Sequence, residues 1–306
     1  MILKMKIITD INNIKLNNTC VTIGKFDGFH LGHRKLLSEM DKKTGCKKVI
    51  VTFDKFPGNV LNGTKDKFIL SDMEKQIMCE RFGVDIYVCI SMTKEFLALT
   101  AEEFITEILV GRLGAEYVIA GEDFHFGKNR LGDKEMLIKY ADDFGYKASI
   151  VKKAVYKGED ISSTRIKNAL VSGDIKSAND MLGYPYTIMG KIRHGKQLGR
   201  KMDLPTANII PEADKLLPPN GVYKTVVCDE NREFNAISNI GVNPTVTNDG
   251  KIKVESHILD FAGEIYGEMI EVRCCDFIRP EKKFNSMDEL KAQINRDIKS
   301  INNKNS

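Results

Sequence analysis

A change of period near residue 184 constrains the fold of this chain more than any other feature. Before it, short β-rich runs alternate with helix-like stretches: "CVTIG" (20–24), a helix from about His30, "KVIVTF" (48–53), a helix from Ser71, and "DIYVCI" (85–90). The alternation continues with a helix from Thr100, "EYVIAG" (116–121), a helix near 133–144 and "KASIVKKAVY" (147–156). It implies a parallel sheet covered by helices, because parallel strands need a crossover between them. Ser71 with Glu74 and Thr100 with Glu103 have the spacing of capping boxes, in which each side chain satisfies a backbone donor that the helix leaves unpaired. Two short helices near 163–171 and 174–182 close this half. After Gly183 and Pro185 the runs become strand-like with turn residues between them: "YTIMGKIR", "NGVYKTVVCD", "REFNAISNIG", "IKVESHILDF" and "MIEVRCCDFI". That pattern implies an antiparallel, barrel-like β domain. A last helix starts at Ser286, boxed by Glu289, and carries Leu290, Ile294, Ile298 and Ile301 as one apolar stripe that must pack against something. The expected organisation is two domains, 1–184 and 185–306, and 306 residues exceed what one compact core usually holds.

Composition narrows the class. A hydrophobic share of 42% with 29% charged residues is that of a globular protein, and no apolar run approaches the roughly 18 residues of a membrane span. The start, "MILKMKIITDINNIKL", breaks its apolar residues with charges and has no signal-peptide core, so a soluble, cytoplasmic protein is expected. Seven cysteines without a C-x-x-C pair read as free thiols in a reducing compartment. A net charge of +4 over 46 basic and 42 acidic residues is too dispersed to argue for nucleic acid, and neither nucleic acid nor membrane is expected as a partner. These numbers are compatible with an oligomer as with a monomer.

The stretch "GKFDGFHLGHRKLL" (24–37) places two of only five histidines three residues apart, after a strand and a glycine turn and at the head of a helix. Phosphates bind at such helix starts at the carboxyl end of a parallel strand. Residues three apart share a helix face, so His30 and His33 could address one anionic group; a bare H-x-x-H is more often a pair of core or surface histidines. The longer string resembles the H-x-G-H signature of the nucleotidyltransferase superfamily in the form found in bacterial FMN adenylyltransferases. "VIAGEDFHFGKNRLGD" (118–133) is similar to that family's G-x-D-F-x-F-G segment, and "ISSTRIKNAL" (161–170) to its phosphate-binding I-S-S-T-x-I-R. In the second half, "GKIRHGKQLGRKMDLPTANI" (190–209), "NGVYKTVV", "SNIGVNPTV", "VESHILDFAGEIYG" and "FIRPEKKFNSMDELKAQI" together resemble riboflavin kinase. The order is that of the bacterial bifunctional riboflavin kinase/FMN adenylyltransferases, or FAD synthetases.

This resemblance implies a Rossmann-like nucleotidyltransferase domain followed by a mainly antiparallel β-barrel kinase domain with a C-terminal helix. It implies riboflavin, FMN and ATP as substrates, FAD as product, and Mg2+ as cofactor. In the first domain it implies His30 and His33 as catalytic groups. A nucleotide or flavin site would be built from Gly24, Phe26, Asp27, Gly28, Gly32, Asp123, Phe124, Phe126, Gly127, Ser162, Ser163, Thr164 and Lys167. In the second it implies Glu255 as the base for the ribityl hydroxyl, Thr206 and Asn208 of "LPTAN" as magnesium ligands, and Gly195, Gly199 and Arg200 of "HGKQLGR" as a loop over the nucleotide. Each element has a plainer reading: "ISST" as a helix cap, "PTAN" as a turn, Glu255 as an exposed cross-strand charge. Alternation in "VESHIL" puts Glu255 and His257 on one face. The chain departs from the family where T-F-x-P-H-P reads "TFDKFP" (52–57), with Lys55 and Phe56, and where Lys167 replaces an arginine and loses its bidentate fork. The departures define an alternative: riboflavin kinase alone, with an impaired or repurposed adenylyltransferase domain.

Overall fold

The computed structural model describes residues 4–55, 57–61, 63, 66–193, 206–229, 232–242, 252–261, 263 and 265–302. The chain forms two compact units, Met1–Ser163 and Thr164–Ser306. In the first, the order is β1 (Lys6–Ile8), β2 (Thr19–Ile23), α1 (Leu31–Asp41), β3 (Lys47–Phe53), α2 (Pro57–Leu61), α3 (Asp72–Arg81), β4 (Ile86–Ile90), α4 (Lys94–Ala98) and α5 (Ala101–Glu103). The last runs into a wide π-helical stretch, Phe104–Arg112. Then follow β5 (Ala115–Gly121), α6 (Lys134–Lys139), α7 (Ala141–Phe144), β6 (Lys147–Val151) and a small hairpin of β7 (Val155–Tyr156) and β8 (Glu159–Asp160).

The main sheet has the order β1-β4-β3-β2-β5-β6, and all its pairings are parallel. The sequence shows why: β2 (TCVTI) and β4 (IYVCI) are buried along their whole length, as strands covered on both faces must be. Strand order reverses at β2, with β3 and β4 on one side and β5 and β6 on the other. The carboxyl ends of β2 and β5 therefore flank a topological switch point, where open α/β sheets take their ligands. Both expected capping boxes are present: Ser71 accepts from Glu74 N while Glu74 accepts from Ser71 N, and Thr100 pairs with Glu103 in the same way.

The second unit contains α8 (Ser163–Ser172, entered from the first unit), α9 (Ile175–Leu182), β9 (Tyr186–Lys191), β10 (Thr206–Ile209), β11 (Gly221–Cys228), β12 (Glu233–Val242), β13 (Ile252–Ile258), β14 (Met269–Pro280) and α10 (Met287–Asn302). The sheet order is β10-β13-β12-β11-β14-β9, antiparallel throughout. Its two outer strands meet: Arg193 N donates to Asn208 O at 2.8 Å in an antiparallel bridge, and the sheet curls into a barrel. Inward residues follow period 2, with Val254, Ser256 and Ile258 buried on one face of β13. The core is not wholly apolar: Thr225, Ser238 and Ser256 form a buried hydroxyl chain with 2.8 and 2.7 Å links.

The expected division at 184/185 and the division of the compact units at 163/164 differ by the two short helices. α9 packs on the barrel, where Asn179 donates to Cys274 O at 2.9 Å and accepts from Tyr186 N at 2.6 Å. The expected α10 stripe finds its surface in part, with Ile298 packing on Val222 and Ile237. Its box is displaced by one residue: Ser286 caps Glu289 N, but Glu289 takes the amide of Asn285.

Candidate active sites

β2 ends at Ile23, and Gly24 N is still tied to Val51 O at 3.0 Å. The chain then turns with Phe26 and Phe29 at φ 43 and 41, between them Gly28 at φ 98. Left-handed backbone costs a bulky residue about 1–3 kcal/mol, so packing must hold these two in place. Both rings are fully buried: Phe26 and Phe29 lie 5.5 Å apart, Phe29 stacks on Phe82 at 5.7 Å, and Phe26 lies 4.9 Å from the His33 ring. His30 occupies the N-cap position of α1, and its ring stacks on His33 with centroids 3.7 Å apart. Neither Nδ1 has a hydrogen-bond partner, although both atoms are buried. Burial disfavours the charged ring and holds His30 down at about 4; Asp123 opposes this. His33 lies well below its ordinary value, through burial first and the adjacent His30 second. Near neutral pH the pair is uncharged. Gly32 leaves room for this stack, since a Cβ there would stand 3.0 Å from His30 Cε1.

Asp27 ties the turn to the rest of the unit. It is fully buried; its Oδ1 accepts from Ile69 N at 2.6 Å, and its carbonyl accepts from the Ser163 hydroxyl at 2.8 Å. It binds the turn to two remote segments. In the loop after β5, Asp123 is exposed, Phe124 and Phe126 stack at 5.4 Å, and Phe126 belongs to the core. Gly127, at φ 70, lies so close to the start of α5 that a Cβ would meet Ala101 N at 2.7 Å, so its glycine serves packing. Ser162 and Thr164 are exposed at the start of α8, Lys167 is half-buried one turn on, and Ser163 is committed to Asp27. Lys55 is exposed; Phe56 lies outside the described residues.

The second cluster lies on the outer face of the barrel sheet. Register places Asn208, Glu255 and Asn239 opposite one another across β10, β13 and β12, and the row continues through Val222 to Arg279. The next row holds Thr206, His257 and Ile237. Thr206, Asn208, Glu255 and His257 therefore share one face, all half-buried. Asn208 Nδ2 turns toward Thr206, 3.4 Å from its carbonyl and 3.5 Å from its hydroxyl. Asn239 donates to Glu281 Oε1 at 3.2 Å. Neither Asn239 nor Glu281 was singled out in the sequence; the alternation of β12 gives the face of Asn239, but only register brings it opposite Glu255. Arg279 is engaged by α10, with Nη2 2.8 Å from the buried Asp297. Gly195, Gly199 and Arg200 lie outside the described residues, as does His194.

A family model for FAD synthetase matches residues 12–165, and one for riboflavin kinase matches residues 182–304. A bifunctional riboflavin kinase/FMN adenylyltransferase of Buchnera aphidicola is 36% identical, covering 97% of this chain and 98% of its own. The chain belongs to the bifunctional riboflavin kinase/FMN adenylyltransferase family. A second member, from Listeria monocytogenes, is 36% identical over 94% of this chain and 91% of its own. Among solved structures, one described as a macrolide-efflux protein from Streptococcus pneumoniae is 32% identical, covers 97% of this chain and 98% of its own, and superposes with a TM-score of 0.84. Among the described residues no helix is long and apolar enough to cross a membrane. The two family models leave residues 166–181, most of α8 and α9, to neither.

Proposed function

We propose that this chain makes FAD in two steps, phosphorylating riboflavin to FMN in residues 185–306 and transferring the adenylyl group of ATP to FMN, with release of pyrophosphate, in residues 1–184. Membership of the family over nearly the full length carries this reading. In the kinase half, Glu255 takes the proton of the ribityl 5′-hydroxyl as that oxygen attacks the γ-phosphorus; such a base contributes about two to four powers of ten in rate. The face it shares with Thr206 and Asn208 supports the assignment. The hydroxyl and amide oxygens of Thr206 and Asn208, beside a carboxylate, are hard donors of the kind magnesium takes when it is held jointly with substrate phosphates, and they fit that ion. When bound there, magnesium offsets phosphate charge.

In the adenylyltransferase half, the FMN phosphate attacks the α-phosphorus in line, and catalysis rests on positioning and charge stabilisation. Neutral His30 and His33 donate N–H bonds to oxygens on which charge develops, and their uncharged state leaves a proton to be gained as it does so. Ser162 binds the rest of the nucleotide, while Asp27 and Gly127 hold the loops in shape. The reactions belong to the cytoplasm, and the partners are small molecules. A chromatographic time course with riboflavin, ATP and magnesium tests the reading. FMN followed by FAD is expected; FMN accumulating without FAD would confine the activity to the kinase half.

A further inference from the structure

Lys153, just after β6, joins four pieces of the first unit. Its N–H donates to Glu122 Oε1 at 2.9 Å, and its carbonyl accepts from Lys35 Nζ at 2.8 Å. Its ammonium lies 3.3 Å from Asp123 Oδ2 and 3.2 Å from Asp160 Oδ2. Lys35 is two residues beyond His33 on α1; Glu122 and Asp123 open the loop after β5; Asp160 leads directly into Ile161, Ser162 and Ser163. The hairpin that carries Asp160 has two pairs only, turned by Lys157 and Gly158 at φ 53 and 81. A hairpin that short does not hold its own position in water. Buried Ala154 and Ile161 anchor its base, and Lys153 fixes its acidic arm.

We propose that Lys153 is a positioning residue for adenylyl transfer: it neutralises Asp123 while also bonding to Asp160, so that the polyphosphate of ATP approaches the His30–His33 pair without meeting an uncompensated Asp123 carboxylate. This rests on the adenylyltransferase reading of the first unit. Without Lys153, Asp123 presents unbalanced negative charge beside His30, on which it already acts, where a multiply charged anion must approach. The ion pairs themselves are partly exposed, and such pairs add little to stability. A purely structural role therefore leaves the kinetics nearly unchanged, whereas a role in admitting ATP does not.

The test uses the full chain as Lys153→Met and Lys153→Arg, with ATP varied in the FMN-to-FAD step and riboflavin phosphorylation measured on the same preparations. For Lys153→Met the KM for ATP is expected to rise about tenfold, with kcat altered less than about threefold, as befits lost charge compensation near a protein surface. Lys153→Arg restores the KM, and riboflavin phosphorylation is unchanged in both. A second readout is the acid limb of FAD synthesis. Among the described residues the charged and titratable groups that act on His30 are Asp123, from the loop after β5, and the neutral His33 ring stacked on it; Asp123 favours the protonated His30, so exposing it by removing Lys153 moves the limb to higher pH. An unmoved KM for ATP in Lys153→Met, with wild type making FAD normally, overturns the role. A wild-type chain that makes no FAD removes the adenylyltransferase reading, and this role with it.

Discussion

The stacked histidines make the first unit sensitive to mild acid, and the size of the effect follows from their burial. His30 titrates at about 4 in the folded chain against 6.5 when unhindered. Its folded value is depressed for a base, so the unfolded chain binds the extra proton first, and stability present at neutral pH is lost as pH falls below about 6.5. Linkage gives a loss of about 2 kcal/mol at about pH 5 and about 3 kcal/mol by about pH 4, from His30 alone. His30 is only 7% exposed, so solvent screening does not erase this, and His33 adds in the same direction. The perturbation is His30→Gln, which keeps the bulk and removes the titration. The chain has no tryptophan, so urea unfolding is followed by far-ultraviolet circular dichroism, at about pH 7 and about pH 5. Wild type is expected to lose about 2 kcal/mol more than His30→Gln between those conditions in the transition assigned to the first unit. Equal losses would refute the reasoning, showing that His30 charges in the folded state at no cost.

Two further perturbations test the second unit. Glu255→Gln is expected to lower FMN formation by about two to four powers of ten while leaving FMN-to-FAD conversion of added FMN intact, as paired assays on one preparation would show. Ser238→Ala removes the middle of the buried hydroxyl chain and leaves Thr225 and Ser256 each short of a partner; a loss of about 1–3 kcal/mol in the barrel's unfolding free energy is expected, and a loss near zero would mean the chain re-pairs elsewhere.

Legibility in the sequence followed the range of the interaction. The Ser71–Glu74 and Thr100–Glu103 boxes are written in four residues, and both formed as read. The shared face of Glu255 and His257 needs only period 2. By contrast, Asp27 stands in a motif that reads as ligand-binding, yet its carboxylate is engaged by amides 42 residues away, which no local pattern encodes. Gly127 likewise reads as a loop glycine, and the reason for it is Ala101, brought close only by the fold. The plainer reading of "PTAN" as a turn is corrected by β10, whose pairing with β13 supplies what the propensity of "TAN" does not. The packing of α9 was not legible either: it is helical in pattern, and only the fold shows that its surface lies on the barrel strands β9 and β14.

Asn208 serves the second unit through two separate parts of itself. Its carbonyl receives Arg193 N and fastens the last stave of the barrel to the first, while its side chain stands with Glu255 on the outer face. Substituting the side chain leaves that fastening in place, so the position can lose chemistry without losing shape. The pairing of β10 with β13, which sets Asn208 opposite Glu255, does not depend on that fastening, so the seam can open without parting the two side chains. Amide exchange at Arg193 therefore gauges the closure of the barrel and not the spacing of that pair.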